Sequence, residues 1–307
     1  MLSPSVHWVS KLQVFSRVGA IVVACIGGTV LVGWLCNISI FKTGLPGLIT
    51  MKANTAWGFL AAGLSLLLAQ GKAIGRGRTV GLFLAVAVLL IGSLTLLEHI
   101  FQLDLGIDES LFLDDPTIPG VFLRGRMSPV TASAFILAGW ALIFLNRGSE
   151  RAQRWVPSCA VPVMLIAIQA VVGYAYGVPA LYQLKPFSAL ALHTALTFWV
   201  LSAALLASVP TNGFMKIITS ETAGGLVSRR LLPLIVVGLF VLGWLGLAGE
   251  VAGWYEVRFG VALMVMLSMA FFSCIVLWNA RMLYRVDVQR SKAEAQIVSL
   301  NAAVPDR

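Results

Sequence analysis

Nine residues carry most of the chemistry this chain could perform: Lys52, Asn54, Glu98, His99, Asp104, Asp108, Arg124, Arg126 and His193. They are acids, bases, imidazoles and one carboxamide, the groups of charge-assisted recognition. The segment from Gln102 to Met127 concentrates them. It holds Asp104, Asp108, Glu109, Asp114 and Asp115, then changes sign at Arg124 and Arg126. Its end is legible, because Ser128 is a natural N-cap and Pro129 suits the first helical position, where a missing N–H costs nothing. Arg126 is thereby expected at the mouth of a helix. Two readings stay open: the charges neutralise one another at a solvated interface, or they organise a small-ligand site. His99 and His193 could face each other as haem ligands, although an interfacial histidine is more often satisfied by a hydrogen bond. No hydrolytic triad, phosphate loop or H-E-x-x-H zinc motif is present, so no catalytic residue, metal or cofactor is expected.

The elements that position these residues repeat. Thr55-Ala56-x-x-Phe59, Thr131-Ala132-x-x-Phe135 and Thr194-Ala195-x-x-Phe198 share a phrase that continues in register. A small residue follows each Phe by four places (Gly63, Gly139, Ser202), and a leucine follows by seven (Leu66, Leu142, Leu205). Roughly 63 to 76 residues separate the copies, room for two membrane crossings each. The expected unit is a helical hairpin, with the three copies running the same way.

Composition leads to the same class. With 59% hydrophobic and 11% charged residues and a mean hydropathy of +0.90, the chain is an integral membrane protein rather than a soluble domain. The first apolar run, from about Val18 to Cys36, is long enough to span and lacks a cleavage site. Apolar runs predict eight helices, near 17–37, 50–70, 79–100, 128–146, 155–176, 190–209, 230–250 and 259–281. Lys11, Arg17, Lys72, Arg76, Arg78, Arg147, Arg151, Arg154, Lys216, Arg229 and Arg230 fall in one set of connections, together with the basic residues of the tail. The positive-inside rule then puts both termini in the cytoplasm. The net charge of +9 is an orientation signal and argues little for nucleic acid.

In that topology Thr55, Thr131 and Thr194 all enter from the outer side. Lys52, Asn54, Arg126, Ser128 and His193 come to one depth, with Glu98 and His99 closing the third helix there and Glu250 closing the seventh. A carboxylate costs about 2.5 to 3.5 kcal/mol at the centre of the hydrocarbon, less at its edge, and is retained with a partner. A polar cluster under the outer surface follows. The competing account is helix-to-helix hydrogen bonding at about 0.6 kcal/mol per contact.

Cys25, Cys36, Cys159 and Cys274 fall in different predicted helices with no C-x-x-C spacing, and read as buried free thiols. Gly243, Gly246 and Gly249 mark a contact face on the seventh helix. Beyond the eighth, Leu283, Val286, Arg290, Ala293, Ile297, Leu300 and Val304 recur at alternating steps of three and four. That is a heptad seam with one basic interruption, the signature of a parallel dimeric connector; an isolated amphipathic tail is the other reading.

Several phrases carry a resemblance to a known family: K-A-N-T-A from Lys52, L-L-E-H-I-F-Q-L-D-L-G-I-D from Leu96, G-R-M-S-P-V-T-A from Gly125, H-T-A-L from His193, R-R-L-L-P from Arg229, F-G at Phe259 and W-N-A-R from Trp278. The chain resembles the multi-pass, MASE-like N-terminal sensor regions of bacterial sensor histidine kinases and diguanylate cyclases over nearly its whole length. That resemblance implies a helical membrane region, a coiled linker and a downstream kinase or cyclase module; the chain as given would not itself be an enzyme. It does not name a stimulus. The expectation is an all-α integral membrane protein of the bacterial inner membrane, with a cytoplasmic segment at 1–16, an eight-helix sensor domain at 17–282 and a coiled-coil linker at 283–307. Its partners would be membrane lipid, a second copy through the C-terminal helix, and the output module. A small-molecule carrier and a non-sensing scaffold subunit are the alternatives.

Overall fold

Small residues on apolar helices let backbones touch, and this chain places them where three helices must meet three others. The computed structural model describes residues 6–71, 76–109, 112, 125–184 and 188–303. Among these all regular structure is helical: α1 Val6–Leu35, α2 Ser39–Thr43, α3 Ala53–Gln70, α4 Arg76–Phe101, α5 Pro129–Arg147, α6 Glu150–Gln153, α7 Val156–Ala175, α8 Leu192–Ser208, α9 Met215–Thr219, α10 Ala223–Val251 and α11 Val257–Ala303, with a 3-10 turn at Pro179–Leu181. The chain divides into two compact units, the first ending at Thr219 and the second beginning at Ser220.

In the first unit α3, α5 and α8 touch one another and form the centre. α1 packs on α3 and α8, α4 on α3 and α5, and α7 on α5 and α8. Phe59, Phe135 and Phe198, one from each repeated phrase, close a triangle at the centre with ring centroids 5.0, 4.6 and 4.8 Å apart and no solvent exposure. Edge and tilted contacts at these distances are the favourable aromatic arrangement. The glycines that follow Phe59 and Phe135 by four places each admit a flanking helix. A Cβ on Gly63 would stand 2.6 Å from the Ala20 carbonyl of α1, and one on Gly139 2.8 Å from Leu89 of α4. Glycines on the flanking helices answer them: Gly27 faces the Ala56 carbonyl and Gly92 the Ala132 carbonyl.

A helix lies over each of the eight predicted apolar stretches, and six segments are long and apolar enough to cross a membrane: His7–Leu35, Arg76–Phe101, Pro129–Arg147, Glu150–Ala175, Ala223–Val251 and Val257–Gln296. α3 and α8 are not among them. α8 has only 17 residues, and α3 carries Asn54, Thr55 and Gln70 among its 18. Both are innermost, where protein rather than lipid covers polar positions.

Two boundaries differ from expectation. α1 starts at Val6 rather than near 17, so the N-terminal segment is largely helical. α11 runs unbroken from Val257 to Ala303, with no joint at 283. The reason is shared: charged side chains end an apolar run without ending a helix, and neither stretch contains proline or a capping glycine at the expected boundary.

In the second unit α10 and α11 pack as a hairpin. Gly249 faces the Tyr255 hydroxyl, which donates to the Gly246 carbonyl at 2.6 Å, and Gly238 receives the Phe271 ring. The glycine face predicted on this helix is therefore used close to the turn.

Candidate functional site

The N-termini of the three central helices come together at one end of the first unit, and the polar residues lie there. Helix α5 begins as its sequence requires: Ser128 is the N-cap, its Oγ accepts from the Thr131 amide at 3.1 Å, and Pro129 opens the helix. This fixes Arg126 two residues before the cap, and the Ser188 hydroxyl ties the Arg126 carbonyl at 3.1 Å. Gly125 adopts φ +67°, and a Cβ there would stand 2.6 Å from the Asp108 carbonyl. Only glycine lets the two ends of the 102–127 segment approach so closely.

The Arg126 guanidinium organises the cluster. Its Nε donates to Asp108 Oδ2 at 2.5 Å, and its Nη2 donates to the Leu103 carbonyl at 3.0 Å and stands 3.5 Å from Glu98 Oε1. Asp108 Oδ1 accepts from Asn54 Nδ2 at 3.3 Å, linking the network to the first turn of α3. Glu98 Oε1 accepts from the Leu105 amide at 2.9 Å, and the Glu98 carboxyl also interacts with that of Asp108. Exposure of these residues is 0% for Glu98, 4% for Arg126 and 7% for Asp108. Two carboxylates and one guanidinium are thus withdrawn from solvent together, and Lys52, 6% exposed at the N-cap of α3, brings a second buried positive group to the same end. Such a cluster depends on its internal pairing. Asp104 differs: its carboxylate is 86% exposed and 4.0 Å from Arg126 Nη2, a rim position worth little energy. Its Oδ1 instead accepts from the Gly106 amide at 3.0 Å, shaping the turn.

The expected site residues sort accordingly. Asn54, Glu98, Asp104, Asp108 and Arg126 form one network. His99 adjoins it, with Nε2 donating to the Met127 carbonyl at 2.9 Å. His193, in the first turn of α8, has its ring against Gly44, the C-cap of α2. Arg124 lies outside the described residues. No three His, Cys, Asp or Glu side chains converge as a metal site among the described residues. The groups assembled are those of recognition by charge and hydrogen bond.

Sequence reasoning missed the backbone partners, the Leu103 carbonyl and Leu105 amide, because any residue type supplies them. It also missed a second polar cluster at the opposite end of the bundle. There Ser16 Oγ donates to the Ala204 carbonyl at 2.6 Å and accepts from Gln70 Nε2 at 2.9 Å, and Asn146 Nδ2 donates to Ser65 Oγ at 3.1 Å. A cleft of ≈ 300 Å³ opens beside it, lined by Arg17, Gln70, Gln153 and Asn212 among others. Single polar residues near the ends of apolar runs were its available signal.

No protein-family model, curated protein or solved structure matches the chain.

Proposed function

We propose that this chain is the membrane input domain of a bacterial signalling protein, passing a stimulus received at the Arg126 cluster to a cytoplasmic module through a dimeric helix. The observation that carries this reading is α11: one uninterrupted 47-residue helix whose first half is apolar and whose second half is charged. At 1.5 Å per residue such a helix is about 70 Å long, more than twice the roughly 30 Å hydrocarbon core, so a long rigid segment projects beyond the membrane. The heptad pattern from Leu283 onward suits a parallel pair of such segments.

In this reading all eight long apolar helices cross the inner membrane, three hairpins of the first unit are copies of one repeat, and both termini are cytoplasmic. A sensor histidine kinase or diguanylate cyclase module following the helix would be the output, as the family resemblance implies. The Phe59, Phe135 and Phe198 triangle supports sensing over transport, since it occupies the bundle axis between the two polar ends where a carrier would place its substrate.

Two measurements test this. A reporter that fluoresces only in the cytoplasm should light up when fused after Arg307 or inserted near Gly75, and stay dark near Pro116. Light at Pro116 contradicts the eight-crossing arrangement. In a background without native cysteines, single cysteines at Ala293, Ile297 and Leu300 should cross-link in membranes under mild oxidant more readily than those at Ser291 or Ala295. A one-residue insertion after Val288 should then uncouple an attached output module, because it turns the downstream seam by about 100°. Uniform cross-linking, or none, removes the dimeric connector and with it this function.

A further inference from the structure

We infer that Asn279 fixes the register of the paired helices: its carboxamide bonds that of a second copy of this chain across the dimer axis, within one interface that continues from the cytoplasmic seam back through the membrane half of α11. This rests on the input-domain reading and names the surface and the residue by which its two copies meet.

The phase of the seam is carried by the helix itself. Because α11 is unbroken from Val257 to Ala303, alternating steps of four and three counted back from Leu283 keep their meaning inside the apolar half. They land on Asn279, Val276, Phe272, Met269, Val265 and Ala262. This stripe is not the one that packs on α10. Phe271 lies against Gly238 of that helix and Ile275 is buried, whereas Phe272 and Val276 follow them by one residue, about 100° further round. Val265, Met269, Phe272 and Val276 are all exposed in the single chain.

The stripe is also concave. A groove of ≈ 550 Å³ follows it, and Val265, Ser268, Met269 and Phe272 of its lining stand at i, i+3, i+4 and i+7. That is the four-residue hole that receives a side chain from the facing helix of a coiled coil. Lipid covers an apolar face without regard to phase. A groove that coincides with the heptad of the tail, along the same helix, suits the partner for which the tail is patterned, a second copy.

Asn279 supplies what an apolar stripe lacks. Between Arg258 and Arg281 the helix carries no charge, and Asn279 is its one carboxamide, about 33 Å along the helix from Val257 and so near the edge of a hydrocarbon core of roughly 30 Å. It is half-buried and makes no hydrogen bond among the described residues. A group on a two-fold axis must complement itself. A carboxamide does so, since it holds both donor and acceptor, whereas a carboxylate repels its copy. Slippage by one heptad would set Asn279 opposite position 272 and leave the carboxamide unpaired among apolar side chains, so the pair selects one alignment.

The test uses the full chain in membranes, without native cysteines, under mild oxidant. Val265→Cys, Met269→Cys, Phe272→Cys and Val276→Cys should each cross-link severalfold more than Leu267→Cys, Ala270→Cys and Leu277→Cys, which stand off the stripe. With the cysteine at position 272 and at alkaline pH, two copies carrying Asn279→Asp should lose most of the cross-link, because two carboxylates then face each other. A differently tagged pair of one Asn279→Asp copy and one copy with Asn279 intact should keep it, since a carboxylate accepts from a carboxamide. Equal yields at all seven positions, none at any, an undiminished cross-link between two Asn279→Asp copies, or an equal loss in the mixed pair each overturns the proposal. Cysteines at Ala293, Ile297 and Leu300 in the same membranes locate the failure: if they still cross-link, the connector stands and only the membrane interface is lost; if they do not, the input-domain reading fails as well.

Discussion

Replacing Arg126 by alanine should destabilise the first unit by about 3 to 5 kcal/mol, the usual cost of stripping the partner from buried charge. Two carboxylates that are 0% and 7% exposed would then share one end of the bundle without the guanidinium between them. At roughly 2 to 4 °C per kcal/mol for a domain of this size, the unfolding midpoint in detergent should fall by about 6 to 20 °C. Arg126→Lys should lose less, since it keeps the charge while giving up the fork that reaches Asp108, Glu98 and the Leu103 carbonyl together. The decisive variant is the neutral triple: Arg126→Gln with Glu98→Gln and Asp108→Asn should recover most of the loss, because neither carboxylate is left charged without the guanidinium. An unchanged midpoint for Arg126→Ala alone would show that the guanidinium is not what balances the carboxylates.

The second large effect belongs to the aromatic triangle. Phe59→Ala, Phe135→Ala and Phe198→Ala should each cost about 3 to 5 kcal/mol, since each ring is fully buried and borders the other two. The corresponding leucine substitutions, closer in volume, should stay below about 1.5 kcal/mol. Because the three rings share contacts, any pair of alanine changes should cost less than the sum of its members. Strict additivity, or a much smaller cost at one of the three positions, would mean that the rings pack independently. Both outcomes are read from chemical or thermal unfolding of the intact chain in detergent.

The site was partly legible in advance because some of its causes are local. Ser128 and Pro129 specify a helix start through the orphan amides of a first turn, and that alone sets Arg126 at the mouth of α5. Acids and a base in an apolar chain imply burial with partners, so Glu98, Asp108 and Arg126 were recognisable as a group. Their geometry was not. Asp104 and Asp108 are close neighbours of the same type, yet one is exposed and the other holds Arg126; the difference is made by the turn through Gly106 and by the close approach of Gly125 to the Asp108 carbonyl. His99 and His193 are alike in type and in position along the bundle, and packing gives each its own neighbour, the Met127 carbonyl for one and Gly44 for the other.

The fold divides along the same line. Composition and apolar run length were sufficient for the all-helical membrane class, because the hydrophobic effect acts on every residue regardless of its neighbours. The repeated Thr-Ala-x-x-Phe phrase marked three equivalent helices, since identical side chains in register present identical faces. Tertiary structure decided that those faces meet on one axis and that each Phe finds the other two. It also decided which glycine admits which flanking helix, and that α3 and α8 lie innermost with polar residues a lipid-facing helix could not carry. Those outcomes depend on distances between residues far apart in the chain, which packing alone determines, whereas caps and apolar runs depend on neighbours a few residues away.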